Sequence, residues 1–184
     1  MRTPRAPGFT IIELLIVVAI AGVLVTIALP NLRDLIVRMR IKSFTSDMHA
    51  SVMLARSEAI KRNLPVFVVP VDGTNWAQGW SVKACDVTGA PCAVVTDANR
   101  TLLTQDAYSN IGVRATNGAY TTATVANITF SSTGRETGSG GAGVGFVVNA
   151  SQYPYIQARC VVIGPSGRPA IRIDSDGNAS NGCN

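Results

Sequence analysis

Positions 11 to 29 form a 19-residue run that holds one charge, Glu13. Gly22 and Thr26 are its only other weakly apolar members. Coiled as a helix, the run would span about 28 Å, close to the hydrocarbon core of a bilayer, about 30 Å. Its flanks are mainly basic: Arg2 and Arg5 before it, and Arg33, Arg38 and Arg40 with one acid, Asp34, after it. A secretory signal would need a shorter apolar core, about 7–15 residues, and a small-residue cleavage site. Ala28-Leu29-Pro30-Asn31 is a poor one. A plain membrane anchor accounts for everything except Glu13. A carboxylate inside an apolar run costs several kcal/mol and has a partner or a task.

The apolar pattern continues past Pro30 through Leu32, Leu35, Ile36, Met39, Ile41, Phe44, Met48, Val52, Ala55, Ala59 and Ile60. Most steps are of three or four residues, one stripe of an amphipathic helix. Pro30 lacks a backbone donor and should kink or loosen the helix there. The expectation is a stem over residues 9–62, transmembrane over about 11–29 and amphipathic beyond, which would be roughly 80 Å long if fully helical.

With 47% hydrophobic and 15% charged residues, the 184-residue chain is not a disordered charged tail. Its net charge of +5 is unevenly placed. Residues 1–8 carry two arginines, residues 9–62 carry seven basic against four acidic side chains, and residues 63–184 carry seven of each. The neutral C-terminal part gives no general case for nucleic-acid binding.

Gly8-Phe9-Thr10-Ile11-Ile12-Glu13, with the apolar run and Pro30 behind it, resembles the N-terminus of type IV pilins and type II secretion pseudopilins. The resemblance implies that residues 1–8 are a leader, cut between Gly8 and Phe9 by a prepilin peptidase that N-methylates Phe9. It also implies that Glu13 pairs with the Phe9 amine of a neighbouring subunit. The implied protein is a single-pass protein of a bacterial inner membrane, its head periplasmic, or extracellular once assembled.

Residues 63–184 show no long helical period. Short β-rich runs lie at 66–71, 80–84, 93–95, 111–114, 125–131, 144–149, 158–163 and 170–173, separated by Gly-containing turns. They predict an α+β chain: a long N-terminal helix packed on an antiparallel β-sheet head. The stem end Ala55-Arg56-Ser57-Glu58-Ala59-Ile60, Trp76-Ala77-Gln78-Gly79-Trp80 and Phe130-Ser131-Ser132-Thr133-Gly134 together resemble the GspH/FimT group of minor pilins and pseudopilins. The tryptophans read as core residues and His49 as a solvent-side helix residue.

Four cysteines, all beyond the apolar run, suit an oxidising compartment and allow three pairings. The favoured set is Cys85–Cys92, closing a small loop, and Cys160–Cys183, tying the tail to a strand.

Gly138-Ser139-Gly140-Gly141-Ala142-Gly143 formally matches a dinucleotide fingerprint, but a strand pattern follows it where a helix is required, so it reads as a hairpin loop. Asp174-Ser175-Asp176-Gly177-Asn178 has oxygens at alternate positions, as a calcium loop begins. Ala179 stands where the loop has Gly, and no twelfth-position Glu follows, so the segment reads as a polar turn and neither metal nor cofactor is expected.

Gly167-Arg168, with Arg172 beyond, is similar to the C-terminal Gly-Arg-x-Arg motif of DNA-binding FimT-like pilins, although the second arginine is two positions late. On a strand, Arg168 and Arg172 would share a face about 13 Å apart and could contact successive phosphates of double-stranded DNA, with Arg159 enlarging the patch. There is no Gly-x-Ser-x-Gly elbow, and the chain has one histidine, so no enzyme is expected. The sequence reads as a minor type IV pilin, a pilus subunit acting with other major and minor pilins in assembly and, through the arginine segment, in DNA uptake during natural transformation. A minor pseudopilin of type II secretion is the alternative.

Overall fold

The computed structural model describes residues 8–85, 100–117, 124–140, 142–150 and 152–183. The side chains at 27 and 29–31 lie outside that description. Among the described residues one helix, α1 (Ile11–Arg62), is followed by eight strands: β1 (Val66–Asp72), β2 (Asn75–Ala84), β3 (Arg100–Gln105), β4 (Gly112–Asn117), β5 (Ile128–Phe130), β6 (Val144–Asn149), β7 (Arg159–Ile163) and β8 (Pro169–Ile173). The fold is α+β, a long N-terminal helix packed on antiparallel sheets.

Both ends of α1 are written in its sequence. The Glu13 amide donates to Thr10 Oγ1 at 3.3 Å, so Thr10-x-x-Glu13 caps the first turn and Glu13 also meets the positive end of the helix dipole. At the far end Asn63 takes the left-handed conformation (φ 54°), its amide reaching Ile60 O and that of Leu64 reaching Ala59 O, each at 3.3 Å. This pair of bonds terminates a helix, and Pro65 follows. The helix assignment continues across Pro30, which does not end it.

The chain divides into two compact units, 1–36 and 37–184. In the first, α1 exposes apolar side chains all round, among them Ile12, Leu15, Ile16, Val18 and Val23. Among the described residues no helix is long and apolar enough to cross a membrane.

In the second unit α1 buries one stripe: Val37, Ile41, Phe44, Met48, Val52, Ala55 and Ala59. Steps of three and four keep these on one side of the helix. Met39 and Ile60, placed on the stripe by sequence, are about half exposed, and Val37 takes a place there instead. The stripe shares one core with Val66 and Val68 of β1, Trp76, Trp80 and Val82 of β2, Phe130 of β5, Phe146 of β6, and Val161 and Ile163 of β7.

The strands form two four-stranded sheets, in the orders β3-β2-β1-β5 and β4-β6-β7-β8, with every pairing antiparallel. Sequence had given no division into two. β3, Arg-Thr-Leu-Leu-Thr-Gln, has no sequence signal, because an edge strand without a fully buried side chain carries little apolar alternation. The strand expected at 93–95 lies outside the described residues.

Candidate functional site

The sequence offered three places for function: the N-terminus, the cysteines and the arginine segment. At the first, Phe9 is 86% exposed, and Glu13 lies exposed among exposed apolar neighbours. Glu13 makes no ion pair among the described residues, whereas Glu58 pairs with Lys61 and Arg62. The Arg62 guanidinium, bonded to Glu58 at 2.6 Å, holds that carboxyl below the usual carboxylate range.

The tail is stapled by Cys160–Cys183, with Cα atoms 5.9 Å apart. Cys85 is buried and also disulfide-bonded; Cys92, its expected partner, lies outside the described residues. The staple sits on the face of the second sheet turned away from the main core, in a small cluster with Val147 and Ala158. Arg114, cross-strand from Val147, fastens the tail by donating from Nη2 to the carbonyls of Ala179 at 2.7 Å and Ser180 at 2.8 Å.

The arginine segment begins in the turn joining β7 to β8. The Gly167 amide donates to Gly164 O at 2.8 Å, and the Gly164 amide to Arg168 O at 3.2 Å. Gly167 has φ +74°, and a Cβ there would lie 2.1 Å from Gly134 O, so only glycine fits. Gly134 itself has φ +75°, lies against Ile60 and accepts from Arg56 Nε at 3.2 Å. Thus the Thr133-Gly134 motif and Gly167 share one physical reason: two tight turns stack against the end of α1.

Arg168, at the end of this turn, and Arg172, in β8, are both exposed. Arg172 lies opposite Cys160, whereas Arg159 lies opposite Ile173. Successive residues of a strand face opposite ways, so Arg159 and Arg172 are on opposite faces of the sheet. Arg159 instead lines a cleft of about 210 Å³ with Arg38 and Lys42 of α1, so the expected three-arginine patch is not assembled. Arg114, which sequence reading left out, shares the face of Arg172.

The remaining motifs are structural. Trp76 and Trp80 are fully buried; their indole N–H groups donate to Val125 O at 3.0 Å and Ser51 Oγ at 2.9 Å. Tyr108 donates its hydroxyl to Asp47 Oδ2 at 2.5 Å, and burial together with that carboxylate pushes the phenol well above its ordinary pKa. His49 is half-buried. The glycine-rich segment turns into β6, held by the buried Glu136 carboxylate, which accepts from the Ser139 amide at 2.9 Å and from its hydroxyl. No group of three His, Cys, Asp or Glu side chains suited to a metal ion occurs among the described residues.

The family described as Type II transport protein GspH matches residues 45–167, and the prokaryotic N-terminal methylation motif matches residues 4–29. Arg168 and Arg172 lie beyond the first match. No curated protein matches the chain. Among solved structures, the fold is similar to that of the Pseudomonas aeruginosa type IV minor pilin FimU in two crystal forms. One shares 16% identity at a TM-score of 0.53, over 77% of this chain and 92% of that one. The other shares 17% identity at a TM-score of 0.52, over 74% and 94%. The minor pseudopilin EpsH from the Type 2 Secretion System of Vibrio cholerae shares 12% identity at a TM-score of 0.49, over 76% and 99%. A likeness at these identities concerns the fold alone. The family match spans the stem end and most of the head, and on it the chain belongs to the GspH family, with an N-terminal methylation motif ahead of the family region.

Proposed function

We propose that the chain is a minor type IV pilin, a structural subunit rather than an enzyme. In this reading prepilin peptidase removes residues 1–8 and methylates Phe9. The run at 11–29 anchors the protein in a bacterial inner membrane, and the head stands in the periplasm until assembly carries it outside. The observation that carries the reading is the Gly8-Phe9-Glu13 signature directly ahead of a helix whose apolar side chains are exposed all round. Such a surface needs lipid or other helices against it. A lone carboxylate on it needs a cation, which the freed N-terminus of a neighbouring pilin supplies. Mass spectrometry of the mature protein is expected to give an N-terminal methylated Phe9; an intact Met1 in membrane-extracted protein would refute it.

The description of the matched family favours a second machine, a type II secretion filament with the same stem chemistry. A deletion strain scored separately for piliation and for protein secretion separates the two.

DNA capture is a second role for the head, supported by the exposure of Arg168 and Arg172 near one edge of the sheet. Changing both to alanine is expected to weaken double-stranded DNA binding and to lower its salt slope by about 2. Arg159→Ala, on the other face, is the control and should leave both unchanged. Unaltered affinity in the double variant rejects this role.

A further inference from the structure

The turn after β8 has a feature that a plain polar loop does not need. Asp174 is only 1% exposed, and its Oδ1 meets no hydrogen-bond partner. Its backbone is pinned: the amide donates to Ala158 O at 3.1 Å, and its carbonyl accepts from Gln157 Nε2. The Asp176 carboxyl lies against that of Asp174. Asp176 accepts from the Asn178 amide at 2.8 Å and Asn181 Nδ2 at 2.7 Å, while the backbone amides of Asp176 and Gly177 serve the Asp174 carboxyl. Asp174 Oδ1 itself receives none of these donors. A buried carboxylate oxygen with no donor is costly, and native folds rarely leave one uncompensated.

Both acids line a cleft of about 630 Å³ whose other polar side chains are Asn149, Tyr155, Gln157 and Ser175. Among the described residues no lysine, arginine or histidine lines it. The described residues therefore bring two carboxylates together and supply no positive side chain to the cleft.

We propose that this cleft binds a calcium ion, with Asp174 Oδ1 and the Asp176 carboxylate as its charged ligands and neutral oxygens of the cleft completing the shell. The oxygen-only donor set excludes soft metals. A flexible turn with few acids suits calcium, which accepts irregular shells of about six to eight oxygens, better than magnesium, which demands a near-ideal octahedron. Two carboxylates without a bidentate glutamate place the affinity in the weak range of extracellular modules, Kd about 10⁻⁴–10⁻³ M. The ion would order the segment between β8 and the disulfide, whose far end the staple and Arg114 already hold.

The test uses the full chain in detergent, disulfides intact, with thermal unfolding followed by tryptophan fluorescence during titration with calcium chloride at constant ionic strength. The expected result is a saturating rise in Tm, about 3–6 °C when calcium exceeds its Kd about tenfold. Asp174→Asn and Asp176→Asn should each abolish the rise. No response to millimolar calcium in the unmodified chain, or a response that survives either substitution, overturns the proposal. Should Asp174→Asn fail to fold, the exposed Asp176 decides alone: a rise retained in Asp176→Asn overturns it.

Discussion

Replacing Glu13 with glutamine is expected to lower the amount of this chain in sheared filaments by about 100-fold or more, while its amount in the membrane stays near that of the parent. Around Glu13, α1 presents exposed Ile12, Leu15, Ile16 and Val17, so a packed bundle of such stems is apolar at this level. In the proposed function the carboxylate there finds its counter-charge on the Phe9 amine of an adjacent subunit. Removing one partner of a buried ion pair leaves the other unpaired at a cost of about 3–5 kcal/mol. At about 1.4 kcal/mol per tenfold, that is a factor of roughly 100 to 4,000 in incorporation. Glutamine keeps the size and hydrogen-bonding capacity of the side chain, so the experiment isolates charge. The head should be unaffected, because Glu13 is in the other compact unit of the chain. Immunoblots of sheared and membrane fractions measure the outcome. Parental levels of E13Q in filaments would reduce the scheme to an ordinary anchored protein.

The second large effect concerns the head. Trp80→Ala is expected to destabilise it by about 3–5 kcal/mol. Trp80 packs edge-on against Phe44 of α1, ring centroids 5.0 Å apart, and stacks on Tyr108 at 6.0 Å. It thus joins the helix stripe to β2 and to the segment after β3. Truncation would open a cavity among side chains from all three and strip Ser51 Oγ of its indole donor. Against a typical domain stability of about 5–15 kcal/mol, that is a large share. Urea unfolding followed by circular dichroism measures it, with Trp80→Phe, which refills most of the cavity, expected to lose less than the alanine variant. A loss below about 1 kcal/mol for Trp80→Ala would show that the helix is held to the head mainly by other contacts.

The stem was legible because its information is local. A 3.6-residue period and a run of apolar side chains need no knowledge of the rest of the chain. The cap formed by Thr10 is equally local, a Thr-x-x-Glu pattern at the start of the helix. The head was legible only as a set of strands. Which strands pair, and that they form two sheets, depends on long-range registers such as Val66 with Phe130, which no local pattern encodes. β5, only three residues long, shows how little sequence a pairing can rest on. The place of Arg159 apart from Arg172 was hidden for the same reason. Arg159 and Arg172 are near in the chain, but the register that sets Cys160 opposite Arg172 turns Arg159 to the other side. The burial of Asp174 was likewise invisible, since a carboxylate between a strand end and a Ser-Asp-Gly turn reads as solvated until its backbone is seen tied to Ala158.

The buried stripe of α1 has a mechanical consequence. From Val37 to Ala59 its side chains interlock with strands of both sheets in one continuous core. A pull along the helix axis, as when a fibre is extended or drawn back, cannot peel these contacts one by one. It must drag the whole row out of register together, so the load is shared in shear and both halves of the head resist it as one.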